Sequence, residues 1–144
     1  WGAQKEVIPM QTTLRFLPLL ARTVTLLLWM LVIFFFSALP GSENPFDPTI
    51  LYYLERKGAH VIEYAVLMFL LVRLIVLWFP RDSFRKILFL AGAAALTYAV
   101  LDELHQFFVP YRGAKMSDVL IDGLGILLMG GFFLFLSRIH QKKR

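Results

Sequence analysis

Lys86-Ile-Leu-Phe-Leu-Ala-Gly-Ala-Ala-Ala-Leu-Thr-Tyr-Ala-Val-Leu-Asp102-Glu-Leu-His-Gln-Phe-Phe-Val-Pro110 is the stretch whose reading decides the fold. After Lys86 no charge interrupts it before Asp102. Read through to Val109, it is long enough to cross a hydrocarbon core of ~30 Å, which takes about 20 helical residues. The backbone finds no water there, so the run is a helix. It leaves the membrane through Asp102, Glu103, His105 and Gln106, with Arg112 just past Pro110. Ionisable groups at the end of an apolar span are costly unless paired or wetted, which makes them a functional-site hypothesis.

Three more spans lie on either side of it. The first runs from about Leu17 to Leu39, with Arg22 near its start, and stops at Pro40-Gly41. The second runs from Gly58 to Phe79 and stops at Pro80; the last runs from about Asp118 to Ser137. The chain is therefore expected to be all-α, a polytopic membrane protein with four transmembrane helices. Residues 1–16 form an N-terminal cytoplasmic segment, 17–137 the membrane domain and 138–144 a basic cytoplasmic tail. Trp1 to Pro9 read awkwardly ahead of Met10, which suits an added segment with Met10 as the native start. The first apolar run is not read as a signal peptide, because it is long and lacks a small-residue cleavage site.

The composition agrees with this reading. With 58% hydrophobic residues and a mean hydropathy of +0.66, the chain is too apolar for an ordinary soluble domain. No cysteine is present, which excludes disulfide and thiolate chemistry. The net charge of +5 is explained by flanks of membrane helices rather than by a nucleic-acid surface. Ten lysines and arginines fall on the side of the termini and the second loop, against four on the other side. Both termini are thus expected in the cytoplasm, with the first and third loops facing outward.

In the first loop, Asp47-Pro48 suits a helix start. Ile50, Leu51 and Leu54 then share a face beside Tyr52 and Tyr53, which predicts a short interfacial helix, with a bend at Gly58 before the second span. Small residues at 91–95 and at Gly123, Gly125, Gly130 and Gly131 predict close packing of the third and fourth spans.

Polar residues gather at three helix ends on the outward side. Lys57, His60, Glu63 and Tyr64 open the second span, and His60 shares a helix face with Glu63 or Tyr64. Asp102, His105 and Gln106 share a face of the third, from which Glu103 is turned by about 100°. Ser117, Asp118 and Asp122 open the fourth. Asp102 is deepest, ~12 Å below Pro110, and needs a partner, for which Arg112, Lys57 and His60 are candidates.

Each residue also has a plainer reading. Arg56, Lys57 and Lys115 suit interfacial anchors, Glu103 a water-facing acid, Asp118 a helix cap and Arg73 a snorkelling cation. The two histidines suit satisfied core positions, and the phenylalanine runs at 34–36 and 132–133 suit lipid or packing contacts. Asp102, Gln106 and Asp122 have the weakest plain reading. His60-x-x-Glu63 and Asp102-x-x-His105 could offer metal ligands, but Lys57 and Arg112 beside them would repel a dication, so no metal and no cofactor are assigned. Ser117 as a nucleophile lacks the strand–turn–helix elbow. The cluster suits an anion better: Lys57 and Arg112 to hold it, with the N-termini of two spans adding partial positive charge.

Lys57-x-x-His60-x-x-x-Tyr64, the stretch from Asp102 to Arg112, Ser117-Asp118-Val119 and Asp122-Gly123-x-Gly125 together resemble the VanZ-like family of small bacterial membrane proteins. The resemblance runs from the first span to about Gly131. The family often has Pro-Gly-Arg where this chain has Pro110-Tyr111-Arg112, which alters the turn, and often asparagine in place of Asp122, which here adds negative charge. The resemblance implies a cell-envelope protein of the bacterial cytoplasmic membrane and, through the family's namesake, a link to teicoplanin resistance. It implies no established reaction.

The leading expectation is recognition of a lipid-linked or glycopeptide-like anionic group at the outer leaflet. Lys57, Arg112, Tyr64, Gln106, Asp118 and Asp122 would be binding residues. His60, Glu63 and Asp102 would be the catalytic group if there is a reaction, with His60 and Glu63 as the proton-transfer pair. The partner is then a membrane lipid or lipid-linked envelope precursor, and not nucleic acid. Two alternatives stay open: a non-catalytic subunit that associates with other membrane proteins, and an outer-face hydrolase or transferase acting on lipid-linked substrates.

Overall fold

A computed structural model describes residues 10–41, 50–113 and 115–142. Four helices make up the described chain: α1 (Met10–Ser37), α2 (Ile50–Trp78), α3 (Phe84–Gln106) and α4 (Met116–Lys142). Each contains a segment long and apolar enough to cross a membrane: Leu17–Ser37, Leu54–Trp78, Phe84–Gln106 and Met116–Lys142. The chain is a multi-pass membrane protein of all-helical fold.

The ends follow local chemistry. Pro80 lies just beyond α2, where its fixed φ and missing N–H no longer disturb the ladder. Ser83 caps α3, its Oγ accepting the Lys86 N–H at 3.4 Å. α3 ends at Gln106, short of the expected Val109. The next turn tightens, with Phe108 N–H donating to His105 O and Val109 N–H to Gln106 O. Pro110 disfavours helical backbone at Val109, which accounts for the earlier stop.

Two expectations are corrected. α2 runs unbroken from Ile50 through Gly58, so the helical part of the first loop is the opening of α2 rather than a separate interfacial helix. The expected start at Asp47-Pro48 lies outside the described residues. Asp118 is not a cap either, because α4 begins at Met116 and Asp118 sits inside its first turn. An acid there still favours the positive end of the helix.

α2 is the central helix and packs on the other three, most extensively on α4. These two helices approach closely at Gly125: a Cβ there would lie 2.2 Å from the Val61 carbonyl oxygen. α3 presents Ala91, Ala95 and Ala99, all fully buried, at the four-residue spacing of one helix face. α3 and α4 also pack on each other, and a Cβ on Gly92 would stand 3.8 Å from Ile126. α1 is the outermost helix, with Leu27, Leu31 and Phe35 exposed for lipid. Midway along, side-chain bonds tie it in: Trp29 Nε1 donates to Glu63 O at 3.0 Å, and the Tyr98 hydroxyl to Met30 O at 2.7 Å.

The phenylalanine runs divide. Phe35 is the most exposed of the first run, Phe36 lines an open recess, and Phe34 lies against His105, with ring centroids 4.5 Å apart. Phe133 stacks on Phe69 at 5.9 Å, and the Arg73 guanidinium covers the Phe69 ring at 5.5 Å.

Candidate functional site: a basic cavity above a buried polar layer

The polar ends of α2, α3 and α4 come together at one end of the bundle, where α1 also finishes. The turn of α3 that carries Asp102 and Gln106 faces the last turn of α1. Ser37 Oγ donates to Asp102 Oδ2 at 2.7 Å, and Gln106 Nε2 donates to the same oxygen at 2.8 Å. All three side chains are buried. The partner that the depth of Asp102 demands is thus a hydroxyl and an amide, not a cation.

Arg112 reaches this layer through Gln106, its Nε donating to Gln106 Oε1 at 2.9 Å. Its Nη1 donates to the carbonyls of Phe36, Ser37 (2.9 Å) and Leu39 (3.3 Å). The last carbonyls of a helix run out of intrahelical N–H donors, and a cation there also suits the helix dipole. Arg112 therefore clamps the end of α1. Burial, and then the charge of Arg56, push its guanidinium below its ordinary value. It remains a cation.

The loop backbone is held in the same place. Gly41 N–H donates to Pro110 O at 3.1 Å. A Cβ on Gly41 would lie 1.9 Å from the Tyr111 carbonyl oxygen, so only glycine fits. Tyr111 itself has φ 59°, the left-handed conformation that glycine adopts without penalty. This chain thus keeps, with a tyrosine, a turn that suits glycine.

Behind the clamp, α2 and α4 share a buried pair. His60 Nδ1 lies 3.0 Å from Asp122 Oδ1; Asp122 is fully buried and His60 nearly so. The structure joins His60 to Asp122, whereas the helix spacing pointed to Glu63 or Tyr64. Tyr64 is fully buried beside them, and neither its hydroxyl nor Asp122 Oδ2 has a protein partner. Glu63 is half-buried and lines an open recess.

Three residues outside the expected set belong to the layer. Ser37 completes the contact with Asp102. Glu103 does not face water: it is buried, with Oε2 accepting the Lys115 N–H at 2.8 Å and Oε1 unpartnered. His105 Nε2 is also buried without a partner, under Phe34. The 100° offset of Glu103 was the available signal, since it aims the side chain at the loop leading into α4.

Above this layer lies a cavity of about 150 Å³. Arg56, Lys57, Arg112 and Lys115 line it with His60, and Ser117 and Asp118 bring the first turn of α4. Arg56, His60 and Arg112 also line the neighbouring recess of about 630 Å³, which has Phe36, Leu39 and Glu63 on its walls. Among the described residues, Arg56, Lys57, Arg112, Lys115 and the carboxylate of Asp118 are the charged groups of the lining. Helix-start N–H groups and the dipole of α4 add partial positive charge. The recess is mixed: Phe36, Leu39 and Pro40 give apolar walls, and Glu55 and Glu63 place carboxylates beside Arg56 and Arg112.

Of the expected residues, Lys57, His60, Asp118 and Arg112 line the cavity. Asp102, Gln106, Tyr64 and Asp122 lie buried beneath it, and Glu63 stands to one side. A family model described as VanZ/LLP1 matches residues 22–137, most of the chain. No curated protein and no solved structure gave a match.

Proposed function

This chain belongs to the VanZ/LLP1 family of membrane proteins, and on that premise we propose that its polar end recognises the anionic group of a lipid-linked or glycopeptide-like molecule. The observation that carries this reading is the cavity at the start of α4, whose described lining includes the exposed Lys57 and Lys115 together with Arg112. In this reading the cavity faces outward from the bacterial cytoplasmic membrane, as the lysine and arginine bias of the loops supports. Lys57 and Lys115 are exposed and able to close on an anion. Arg112 keeps its position as the clamp on α1 and adds field rather than a mobile grip. Asp102, Ser37 and Gln106 fix that clamp. Recognition of such a group at the outer leaflet is where a role in glycopeptide resistance would act.

The test is a native mass spectrum of the gently extracted protein, compared with a Lys57→Gln/Lys115→Gln variant. A discrete extra mass of an anionic lipid in the wild type, lost in the variant, supports the reading. Equal retention by both removes it. Both lysines are exposed, so the variant is expected to insert and fold.

The His60–Asp122 pair favours a second reading, a hydrolase or transferase acting on the same group. A buried carboxylate on Nδ1 fixes the imidazole and leaves its other nitrogen for proton transfer, and His60 lines both spaces. His60→Gln would then retain an intact molecule where the wild type retains or releases a cleaved one. The same intact mass in both proteins would leave binding without chemistry.

A further inference from the structure

The far end of the bundle carries a second built space, unconnected with the polar end. A cavity of about 590 Å³ lies between the start of α3 and the last turns of α4. We propose that it binds the head group of an anionic phospholipid.

Charge is the first argument. Arg85 of α3 and Arg138 of α4 line the cavity from two helices, and among the described residues no carboxylate lines it. The nearby acid is already engaged, since Asp82 pairs with Lys86 at 3.0 Å. Among the described residues neither arginine makes an ion pair. Among the described residues two guanidiniums thus face one space with no counter-charge, and their forked donors match phosphate oxygens.

The backbone is the second argument. The first N–H groups of a helix have no intrahelical acceptor. At α3, Ser83 Oγ takes the N–H of Lys86, while Phe84 and Arg85, whose N–H groups precede it, form part of the cavity wall. The first turn of α3 holds no acid to neutralise its positive end.

Shape is the third. The cavity falls within the usual range of ligand sites, roughly 300–1,000 Å³. Leu88 and Leu134 add apolar walls. A further recess of about 470 Å³ shares Phe84 and Ser137 with it and adds Phe133 and Leu136 along α4. Phe133 is held by its stack on Phe69 and its edge contact with Phe84 at 6.1 Å. The two spaces together present a cationic pocket leading to an apolar groove, which is the pattern of a phosphate head on an acyl chain. Free phosphate would use the first half only, and a zwitterionic lipid would bring its own cation against the arginines. Arginines that merely anchor a helix need no cavity between them, whereas basic pockets between membrane helices are a known form of lipid head-group site.

The experiment uses the full chain in bilayer nanodiscs doped with photoreactive phosphatidylglycerol, with crosslinked peptides mapped by mass spectrometry. Crosslinks are expected at residues 83–88 and 134–141, competed by phosphatidylglycerol and not by phosphatidylcholine or inorganic phosphate. Arg85→Gln/Arg138→Gln is expected to lower them about thirtyfold, from the contribution of each arginine near a charged lipid surface. Arg81→Gln, a cation outside the cavity, should leave them unchanged. The proposal is overturned by equal competition from phosphatidylcholine, by competition from inorganic phosphate, by an equal loss in Arg81→Gln, or by persistence in the double variant. The mapped position keeps this result separate from any lipid held at the polar end.

Discussion

Gly125→Ala tests how packing sets the site. A Cβ at this position would lie 2.2 Å from the Val61 carbonyl oxygen and 3.1 Å from the Ala65 nitrogen. Both neighbours are backbone, so no side chain can turn aside. Ordinary contact begins at 3.4 Å, so α2 and α4 must separate by about 1.2 Å. His60 precedes Val61, and Asp122 lies one turn before Gly125. The same separation therefore acts on their 3.0 Å contact and carries it past hydrogen-bonding range. Overpacking costs ~1–3 kcal/mol. Leaving a buried polar group unsatisfied adds ~1–3 kcal/mol. The helix preference for alanine over glycine returns about 1 kcal/mol. The net expectation is a loss of about 1–5 kcal/mol, measured by reversible unfolding in mixed micelles. Gly131→Ala, where nothing lies within 4 Å, supplies the control. It should lose nothing and can gain up to about 1 kcal/mol. If the two variants have equal stability, the close contact of α2 and α4 is refuted.

Three other outcomes are expected. Arg112→Lys should not preserve the clamp, because a single ammonium cannot serve Gln106 and the end of α1 together. The loss is about 1.5–3 kcal/mol, with faster hydrogen exchange at Ala38, Leu39 and Gly41; unchanged exchange would show that the clamp is idle. Tyr111→Gly should gain about 1 kcal/mol by relieving the left-handed conformation, and a clear loss of stability would mean that the tyrosine ring matters more than its backbone. The chain has no cysteine, so Met116→Cys and Gln141→Cys report orientation cleanly: an impermeant maleimide added to intact cells should label the first and spare the second. The opposite pattern would reverse the topology.

The fold was legible because hydrocarbon makes simple demands. Four apolar runs of sufficient length admit helices, and Pro40, Pro80 and Pro110 mark where they stop. What the sequence could not show is which helix meets which. Helix periodicity relates residues three and four apart, so it pointed His60 toward Glu63 and Tyr64. The actual partner, Asp122, lies on α4. In the same way, small residues on the last two spans suggested their mutual packing, yet the close approach at Gly125 is made with α2. Nothing local distinguishes Gly125 from Gly123, whose surroundings are open. The charged residues of the site were legible as a group because span ends seldom hold so many. Their division into a clamp, a buried pair and a cavity lining was not, since it depends on where α1 ends. Ser37 is an unremarkable serine until Asp102 and Arg112 are seen around that end.

The central claim is that the polar-end cavity holds an anion. It is tested most directly by an experimental structure of the protein extracted with its native lipids. The account predicts non-protein density in the cavity, with oxygen atoms within roughly 3 Å of the Lys57 or Lys115 Nζ atoms and close to the first turn of α4. A cavity holding only water, with both lysines turned toward solvent, would contradict it.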